Sequence, residues 1–162
     1  MGTSSVRVLV VEDYKPWLRF ISSELEKLSN LQPIGEVSDG EEAVQQAQEL
    51  QPDLILLDIG LPTINGIEAA RRIREVSPAS KILFVSETRS PEIAEEALNT
   101  GAGGYVLKSD AASDLLPAIK AVLQGKRFVS ASLAGHLLMA ALVTTTQTNL
   151  LASMVALISG IC

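Results

Sequence analysis

Short apolar runs alternate with segments of helical periodicity from Val6 to about Leu123. The runs have the length of strands, and between them apolar residues recur at three- and four-residue steps, the spacing of a helix with one buried face. This alternation predicts an α/β domain in which helices cover both faces of a parallel sheet. The five predicted strands are Val6–Val11, Pro33–Val37, Leu54–Leu57, Lys81–Val85 and Tyr105–Leu107, and the five helices begin near Pro16, Gly40, Gly66, Pro91 and Ala112.

Charged residues stop abruptly at the end of this pattern. Every Asp, Glu, Lys and Arg lies at or before Arg127, and the segment from Phe128 to Cys162 holds His136 as its one basic side chain. A length of 162 residues suits one domain with a short appendage. We therefore predict a domain over residues 1–124, a linker over 125–131 and an uncharged apolar tail over 132–162.

The tail is predicted to form two apolar helices, Leu133–Val143 and Leu150–Ile161, on either side of the polar segment Thr144–Asn149. Neither piece reaches the ~20 apolar residues that a membrane span needs. The β-branched threonines also disfavour one helix that spans a membrane across the polar segment. We expect the two helices to pack on the domain or on another copy of the chain, and we do not expect membrane insertion.

The charge and cysteine content of the chain limit the partners and the cellular setting that we expect for it. The net charge of −6 argues against general nucleic-acid affinity, because such affinity needs clustered Lys and Arg. The single Cys162 excludes an internal disulfide framework, and no basic segment followed by an apolar stretch opens the chain, so we expect no secretory signal. Both observations predict a reducing, cytoplasmic setting.

Carboxylates close two of the apolar runs. Asp58 follows Leu54–Leu57, and Glu12 and Asp13 follow the first predicted strand. Burial of charge at a strand end is costly unless the charge is compensated. If the two strands are neighbours, three carboxylates converge on one small volume, and such a cluster repels itself unless a cation fills it.

Two further polar residues follow predicted strands. Ser86 comes after the fourth strand and Lys108 after the fifth. Ligands of open parallel sheets bind at the carboxyl ends of the strands, where these residues are expected. Each residue taken alone also has a purely structural interpretation: turn or cap chemistry for Glu12, Asp13, Asp58 and Ser86, solvation for Lys108, half-buried packing for Tyr105 and packing for Trp17.

Several motifs follow one another along the chain: Val-Glu-Asp at 11–13, Leu-Asp-Ile-Gly-Leu-Pro at 57–62, Asn-Gly at 65–66, Ser86, and Gly-Tyr-Val-Leu-Lys-Ser at 104–109. Together these motifs resemble the receiver domain of bacterial response regulators, over roughly residues 6–124. The resemblance implies a flavodoxin-like, doubly wound sheet of five strands in the order 2-1-3-4-5.

The resemblance implies a phosphorylated signalling domain with no enzymatic activity beyond its own phosphotransfer and dephosphorylation. Asp58 would accept a phosphoryl group from a histidine kinase, and Lys108 and Ser86 would bind the phosphoryl oxygens. Ser86 and Tyr105 would then change the surface formed by the fourth helix, fifth strand and fifth helix. The expected ligands of a Mg²⁺ ion are Glu12, Asp13, Asp58 and the backbone carbonyl of Gly60.

Three positions depart from the family pattern. Glu87 follows Ser86, where a small residue is usual, and we interpret its carboxylate as tuning phosphoryl entry or loss. Ser109 follows Lys108 where many receivers have Pro, which places the usual cis peptide in doubt, and Gly60 has no side chain over the site. Two rival interpretations stay open: a degenerate receiver that acts as a phosphorylation-independent interaction module, and a Mg²⁺-dependent phosphatase with Asp58 as nucleophile.

The segment Gly125–Ser130 resembles the linker entry of LuxR-type regulators, a family of transcription regulators. Their helix-turn-helix module does not follow in this sequence, and we expect no direct DNA binding because residues 128–162 offer no Lys or Arg to phosphates. A tail left over from a lost output module is therefore a further alternative. The expected partners are a sensor kinase and a second copy, through the fourth helix–fifth strand–fifth helix face or through the tail.

Overall fold

The computed structural model describes residues 4–159. The chain divides into two compact units, Met1–Ser130 and Ala131–Cys162. The strands are β1 Val6–Val11, β2 Leu31–Val37, β3 Leu54–Leu57, β4 Lys81–Ser86, β5 Gly104–Leu107 and β6 Phe128–Val129. The helices are α1 Lys15–Glu26, α2 Gly40–Leu50, α3 Gly66–Val76, α4 Pro91–Leu98, α5 Ala111–Leu123 and α6 Ala131–Ser159, and a short 3₁₀ turn covers Lys108–Asp110.

The first unit is a parallel sheet in the order β2-β1-β3-β4-β5-β6. Alternate strand residues point to opposite faces of a sheet. Consecutive residues of the central strands are buried, and Val8 and Leu57, for example, are each 0% exposed. The sheet is therefore covered on both faces. Helices α1 and α5 contact each other, as do α2 with α3 and α3 with α4. The predicted fold class and the predicted order of the first five strands are confirmed.

A sixth strand extends the predicted sheet of five. β6 runs parallel to β5, with Phe128 opposite Gly104 and Val129 opposite Tyr105. The Ser130 amide donates to the Tyr105 carbonyl oxygen at 3.0 Å, and the Ser130 hydroxyl accepts from the Leu107 amide at 3.0 Å. Part of the segment expected to be a linker therefore belongs to the sheet.

The predicted pair of tail helices is wrong: α6 is one continuous helix, Ala131–Ser159. The polar segment Thr144–Asn149 contains no Gly or Pro, and β-branching lowers helix propensity only slightly. Gly160 and Ile161, at the end of the second predicted piece, lie outside the described residues. Within the described chain, no helix combines the length and apolar character that a membrane crossing requires.

Residues 149–157 of α6 are all exposed. Nine consecutive residues span more than two helical turns, so apolar side chains face outward all around this part of the helix. A helix that is apolar on every side usually acquires a partner surface. The large apolar side chains exposed here are Leu150, Leu151, Met154, Val155 and Leu157.

Gly66 is required by the tight passage from β3 into α3. A Cβ atom at this position would overlap the Asp58 carbonyl oxygen and lie 2.9 Å from the Ile59 Cα. We expect Gly66→Ala to lower the free energy of unfolding by about 3 kcal/mol, since both groups in the clash are backbone. The matched control is Gly60→Ala, whose Cβ would meet nothing within 4 Å.

Urea unfolding followed by circular dichroism would measure both variants. We expect a change below about 0.5 kcal/mol for Gly60→Ala. Equal stability of the two alanine variants would contradict the packing described for Gly66.

Candidate functional site

Four neighbouring strands bring the predicted site residues to one edge of the sheet. Glu12 and Asp13 follow β1, Asp58 follows β3, Ser86 ends β4 and Lys108 follows β5. These strands are consecutive in the sheet, and all run parallel, so their carboxyl ends lie side by side. The five residues line one cavity of about 580 Å³.

The three carboxylates form a compact cluster. One ligand oxygen from each of Glu12, Asp13 and Asp58 lies within 4.8 Å of the others. Glu12 is 1% exposed and Asp58 is 8% exposed, whereas Asp13 is exposed. Gly60 is a further residue of the cavity wall. A hard divalent cation prefers such oxygen ligands, so the donor set fits Mg²⁺.

Lys108 is the cation that the described structure places against this cluster. Its Nζ lies 2.8 Å from Glu12 Oε2 and 3.2 Å from Asp58 Oδ2. Lys108 is only 6% exposed, so the pairs are weakly screened by water. The ammonium is thus shared between two carboxylates and lies closer to Glu12.

Burial and the neighbouring charges leave the pKa values of both Glu12 and Lys108 above their ordinary values. Burial, opposed by the hydrogen bond from Lys108 and helped by the nearby Asp58 charge, raises the pKa of Glu12 to about 7. Burial alone would lower the pKa of Lys108, but the Glu12 hydrogen bond and the charges of both carboxylates outweigh it and raise that pKa. Lys108 therefore stays charged at neutral pH, where Glu12 titrates.

The loop after β4 is held by Ser86, Thr88 and Tyr105. The Thr88 amide donates to the Ser86 hydroxyl oxygen at 3.2 Å, and the Tyr105 hydroxyl donates to the Thr88 carbonyl oxygen at 2.9 Å. Tyr105 is fully buried instead of half-buried as expected, and desolvation raises its pKa. The backbone of one residue, Thr88, thus joins Ser86 to Tyr105, a link that the sequence pattern did not indicate.

The positions that depart from the family pattern lie at the rim. Glu87 is exposed and lines the cavity beside Ser86. The Ser109 hydroxyl accepts a hydrogen bond from the Arg89 guanidinium at 2.9 Å. All described peptide bonds are trans, including the one between Lys108 and Ser109.

Trp17 is a site neighbour that sequence analysis interpreted only as a packing residue. The centre of its indole ring lies 5.1 Å from Lys108 Nζ. Trp17 lies in the first turn of α1, shortly after the acidic pair that follows β1. Its contact depends on how α1 lies relative to β5, which the local sequence around Trp17 does not specify.

The family model that matches this chain describes the response regulator receiver domain, and it covers residues 8–120. The chain belongs to the response regulator receiver family. This finding fits the fold, in which strand ends bring acidic groups and a lysine together.

The relatives that this chain resembles are longer proteins. The response regulator GacA of Pseudomonas viridiflava is 33% identical over 132 residues, a match that covers 82% of this chain and 62% of GacA. The transcriptional activator protein ExaE of Pseudomonas putida is 37% identical over 131 residues, covering 80% and 61%. The chain therefore spans about three fifths of the length of these relatives.

Solved structures agree with the receiver fold. A two-component response regulator of the LuxR family from Aurantimonas sp. SI85-9A1 superimposes with a TM-score of 0.81 at 31% identity, covering 86% of this chain and 99% of that one. The isolated REC domain of RcsB from Salmonella enterica serovar Typhimurium, solved with the phosphomimetic BeF3-, gives a TM-score of 0.76 at 25% identity, covering 81% and 97%.

The raised pKa of Glu12 makes the metal-free receiver more stable in mild acid. Its folded pKa of about 7 lies above the ordinary 4.5, so the folded state binds more protons than the unfolded state between these values. This contribution to the free energy of unfolding is fully present below about pH 4.5 and is lost as pH rises through about 7. Its total size is up to about 3 kcal/mol. Urea unfolding in EDTA at about pH 5 and about pH 8 would measure it.

Glu12→Gln is the control for this pH dependence. The amide cannot titrate, so the variant is expected to lose this contribution to the fall in stability between the two pH values. In the wild type, Mg²⁺ competes with the proton, and its affinity is expected to weaken by up to about tenfold per pH unit below 7. A wild type and Glu12→Gln variant with the same pH profile would show that Glu12 is not the titrating group.

Proposed function

We propose that this receiver accepts a phosphoryl group on Asp58 from a partner histidine kinase and responds with a change in its protein-contact surface. The observation that supports this most directly is the convergence of Asp58, two further carboxylates and Lys108 on one cavity at the carboxyl edge of the sheet. An isolated buried carboxylate would be a cost to the fold. Here the group has the neighbours that phosphoryl transfer requires.

Asp58 is the proposed nucleophile. A carboxylate oxygen of Asp58 attacks the phosphorus of a phosphohistidine, the P–N bond breaks, and the electron pair returns to the imidazole nitrogen of the kinase. The product is an acyl phosphate on Asp58. The Asp58 Oδ1 atom accepts a hydrogen bond from the Ile59 amide at 2.8 Å, which holds the carboxylate orientation during attack.

Lys108 and Ser86 are the proposed partners of the transferred group. The Lys108 ammonium would leave Asp58 Oδ2 for a phosphoryl oxygen, and the Ser86 hydroxyl would donate to another. Glu12, Asp13, Asp58 and the Gly60 carbonyl would hold Mg²⁺, which neutralises charge that develops during transfer. Every protein group in this scheme lines the same cavity.

The response is proposed to pass from Ser86 through Thr88 to Tyr105. A phosphoryl group adds negative charge and strong acceptors, so the Ser86 hydroxyl turns toward it. Movement of Ser86 disturbs its bond from the Thr88 amide, and the Thr88 carbonyl is the acceptor for Tyr105. The affected surface is that of α4, β5 and α5, which we propose as one association face.

An experiment must distinguish the proposed phosphorylated receiver from two alternative functions. A degenerate receiver would bind partners without phosphorylation, and the exposed carboxylate of Glu87 beside the cavity favours this alternative through repulsion of phosphate. A Mg²⁺-dependent phosphatase would use Asp58 for turnover. The short connection between Asp58 and α3, which begins at Gly66, leaves no room there for a domain that encloses a substrate.

Acetyl phosphate is the reagent for the test. Wild-type protein would be incubated with acetyl phosphate and Mg²⁺, or with acetyl phosphate and EDTA, and its intact mass measured. We expect one phosphoryl adduct that needs Mg²⁺. Absence of an adduct at any metal concentration would favour the degenerate module, and fast turnover of unrelated phosphate esters would favour the phosphatase.

A second copy of the chain is a further proposed partner, besides the kinase. We expect no direct DNA contact from the described residues, and we propose self-association through the α4–β5–α5 face or through α6. One structural relative, at 25% identity, is described as two RcsB dimers bound to two parallel DNAs. We also propose a cytoplasmic location, where a cytoplasmic kinase domain can reach Asp58.

A further inference from the structure

The indole of Trp17 and the ammonium of Lys108 form a contact that the proposed phosphotransfer does not use. The ring centre lies 5.1 Å from Nζ, inside the roughly 6 Å range over which an aromatic ring attracts a cation. Pro16 occupies the first turn of α1 and fixes the backbone where the helix begins. Phe20 meets the indole edge-to-face, with the two ring centres 5.2 Å apart.

The two carboxylates that hold Lys108 are also the proposed metal ligands. Glu12 and Asp58 lie 2.8 and 3.2 Å from Nζ, and a divalent cation would take part of their charge. Lys108 would then lose much of its attraction to both oxygens before a phosphoryl group arrives. The indole face is a third group that attracts the Lys108 ammonium. A divalent cation bound to the two carboxylates does not compete with Lys108 for this ring.

We propose that Trp17 is a positioning residue: its indole keeps the Lys108 ammonium beside Asp58 when Mg²⁺ engages Glu12 and Asp58. This inference rests on the proposed function of Lys108. Lys108 is 6% exposed, and a desolvated cation–π contact is stronger than an exposed one. The electrostatic part of the contact needs an aromatic ring, so an aliphatic residue of similar bulk does not replace it.

Phosphorylation rates of matched variants test the proposal. With acetyl phosphate and saturating Mg²⁺, Trp17→Leu is expected to react about 5- to 30-fold more slowly than wild type. Trp17→Phe keeps a ring and is expected to stay within about threefold of wild type. Phe20→Leu is the control: it removes the aromatic neighbour of Trp17 while leaving the indole in place, and is expected to stay within about twofold.

A double-mutant cycle separates positioning from general damage to the helix. In a Lys108→Met background the indole has no ammonium to hold, so adding Trp17→Leu is expected to change the rate by less than about twofold. An equal loss in both backgrounds would overturn the proposal, as would a wild-type rate in Trp17→Leu. Thermal unfolding of each variant shows that the compared proteins are folded.

Tryptophan fluorescence tests the same contact without phosphorylation. Trp17 is the single tryptophan of the chain, so emission reports on one indole. Lys108→Met is expected to shift the emission, and Lys120→Met, which alters an exposed lysine on α5, is expected to leave it unchanged. Identical emission from wild type and Lys108→Met would overturn the proposal. If the wild type takes no phosphate, the proposed function fails, and the emission comparison still decides whether Trp17 senses Lys108.

Discussion

Replacing Asp58 with asparagine is expected to abolish the phosphoryl adduct formed from acetyl phosphate. The amide lacks the anionic oxygen that is proposed to attack phosphorus. Asparagine has nearly the same shape, and its carbonyl oxygen can accept the Ile59 amide hydrogen that Asp58 Oδ1 accepts at 2.8 Å. The variant is therefore expected to fold, and intact mass would show only unmodified protein.

The control for Asp58→Asn is Asp114→Asn in α5, which makes the same chemical change away from the cavity. That variant is expected to form the adduct as wild type does. Peptide mapping of the wild-type adduct should place the phosphoryl group on the segment that contains Asp58. A full adduct on Asp58→Asn, or mapping to Asp13, would show that the acceptor has been misassigned.

Replacing Lys108 with methionine is expected to slow phosphorylation at Asp58 by about 10²- to 10³-fold, the loss typical when one charged or polar donor to the transition state is removed. Asp58 stays in place, so the adduct still forms slowly. The variant also leaves Glu12 and Asp58 without the ammonium that lies 2.8 and 3.2 Å from them. Mg²⁺ is therefore expected to raise its melting temperature more than that of wild type.

Time courses of intact mass at saturating Mg²⁺ would measure the rate, and thermal scans with and without Mg²⁺ would measure the stabilisation. Lys120→Met is again the matched control, with a wild-type rate expected. A Lys108→Met rate within about threefold of wild type would contradict a transition-state role for the ammonium.

Much of the fold followed from the sequence because its strands are buried on both faces. Such strands appear as continuous apolar runs, and the runs ending at Val11 and Leu57 were predicted to the residue. β6 was missed because two residues, Phe128 and Val129, carry no periodicity, and their pairing depends on contacts with β5. The single helix α6 was missed because Thr144–Asn149 was weighted as a break although it holds no Gly or Pro.

The site was predictable as a set of residues but not as a set of contacts. Parallel strand ends bring Glu12, Asp58 and Lys108 together in any doubly wound sheet of this order. The preference of the ammonium for Glu12 over Asp58 depends on side-chain rotamers. The contact with Trp17 depends on the packing of α1, and both are tertiary features without a local sequence signal. Their effect on the rates remains a prediction.

β6 also has a consequence for self-recognition between chains. Edge strands present unpaired N–H and C=O groups and can pair with strands of other molecules. β6 covers β5 with only two residues, and the Ser130 hydroxyl accepts from the Leu107 amide where the short strand has ended. A chain cut before Phe128 would turn β5, which is apolar and leads directly into Lys108, into an open edge. Aggregation of such a fragment would then reflect an uncapped sheet and not an unstable core.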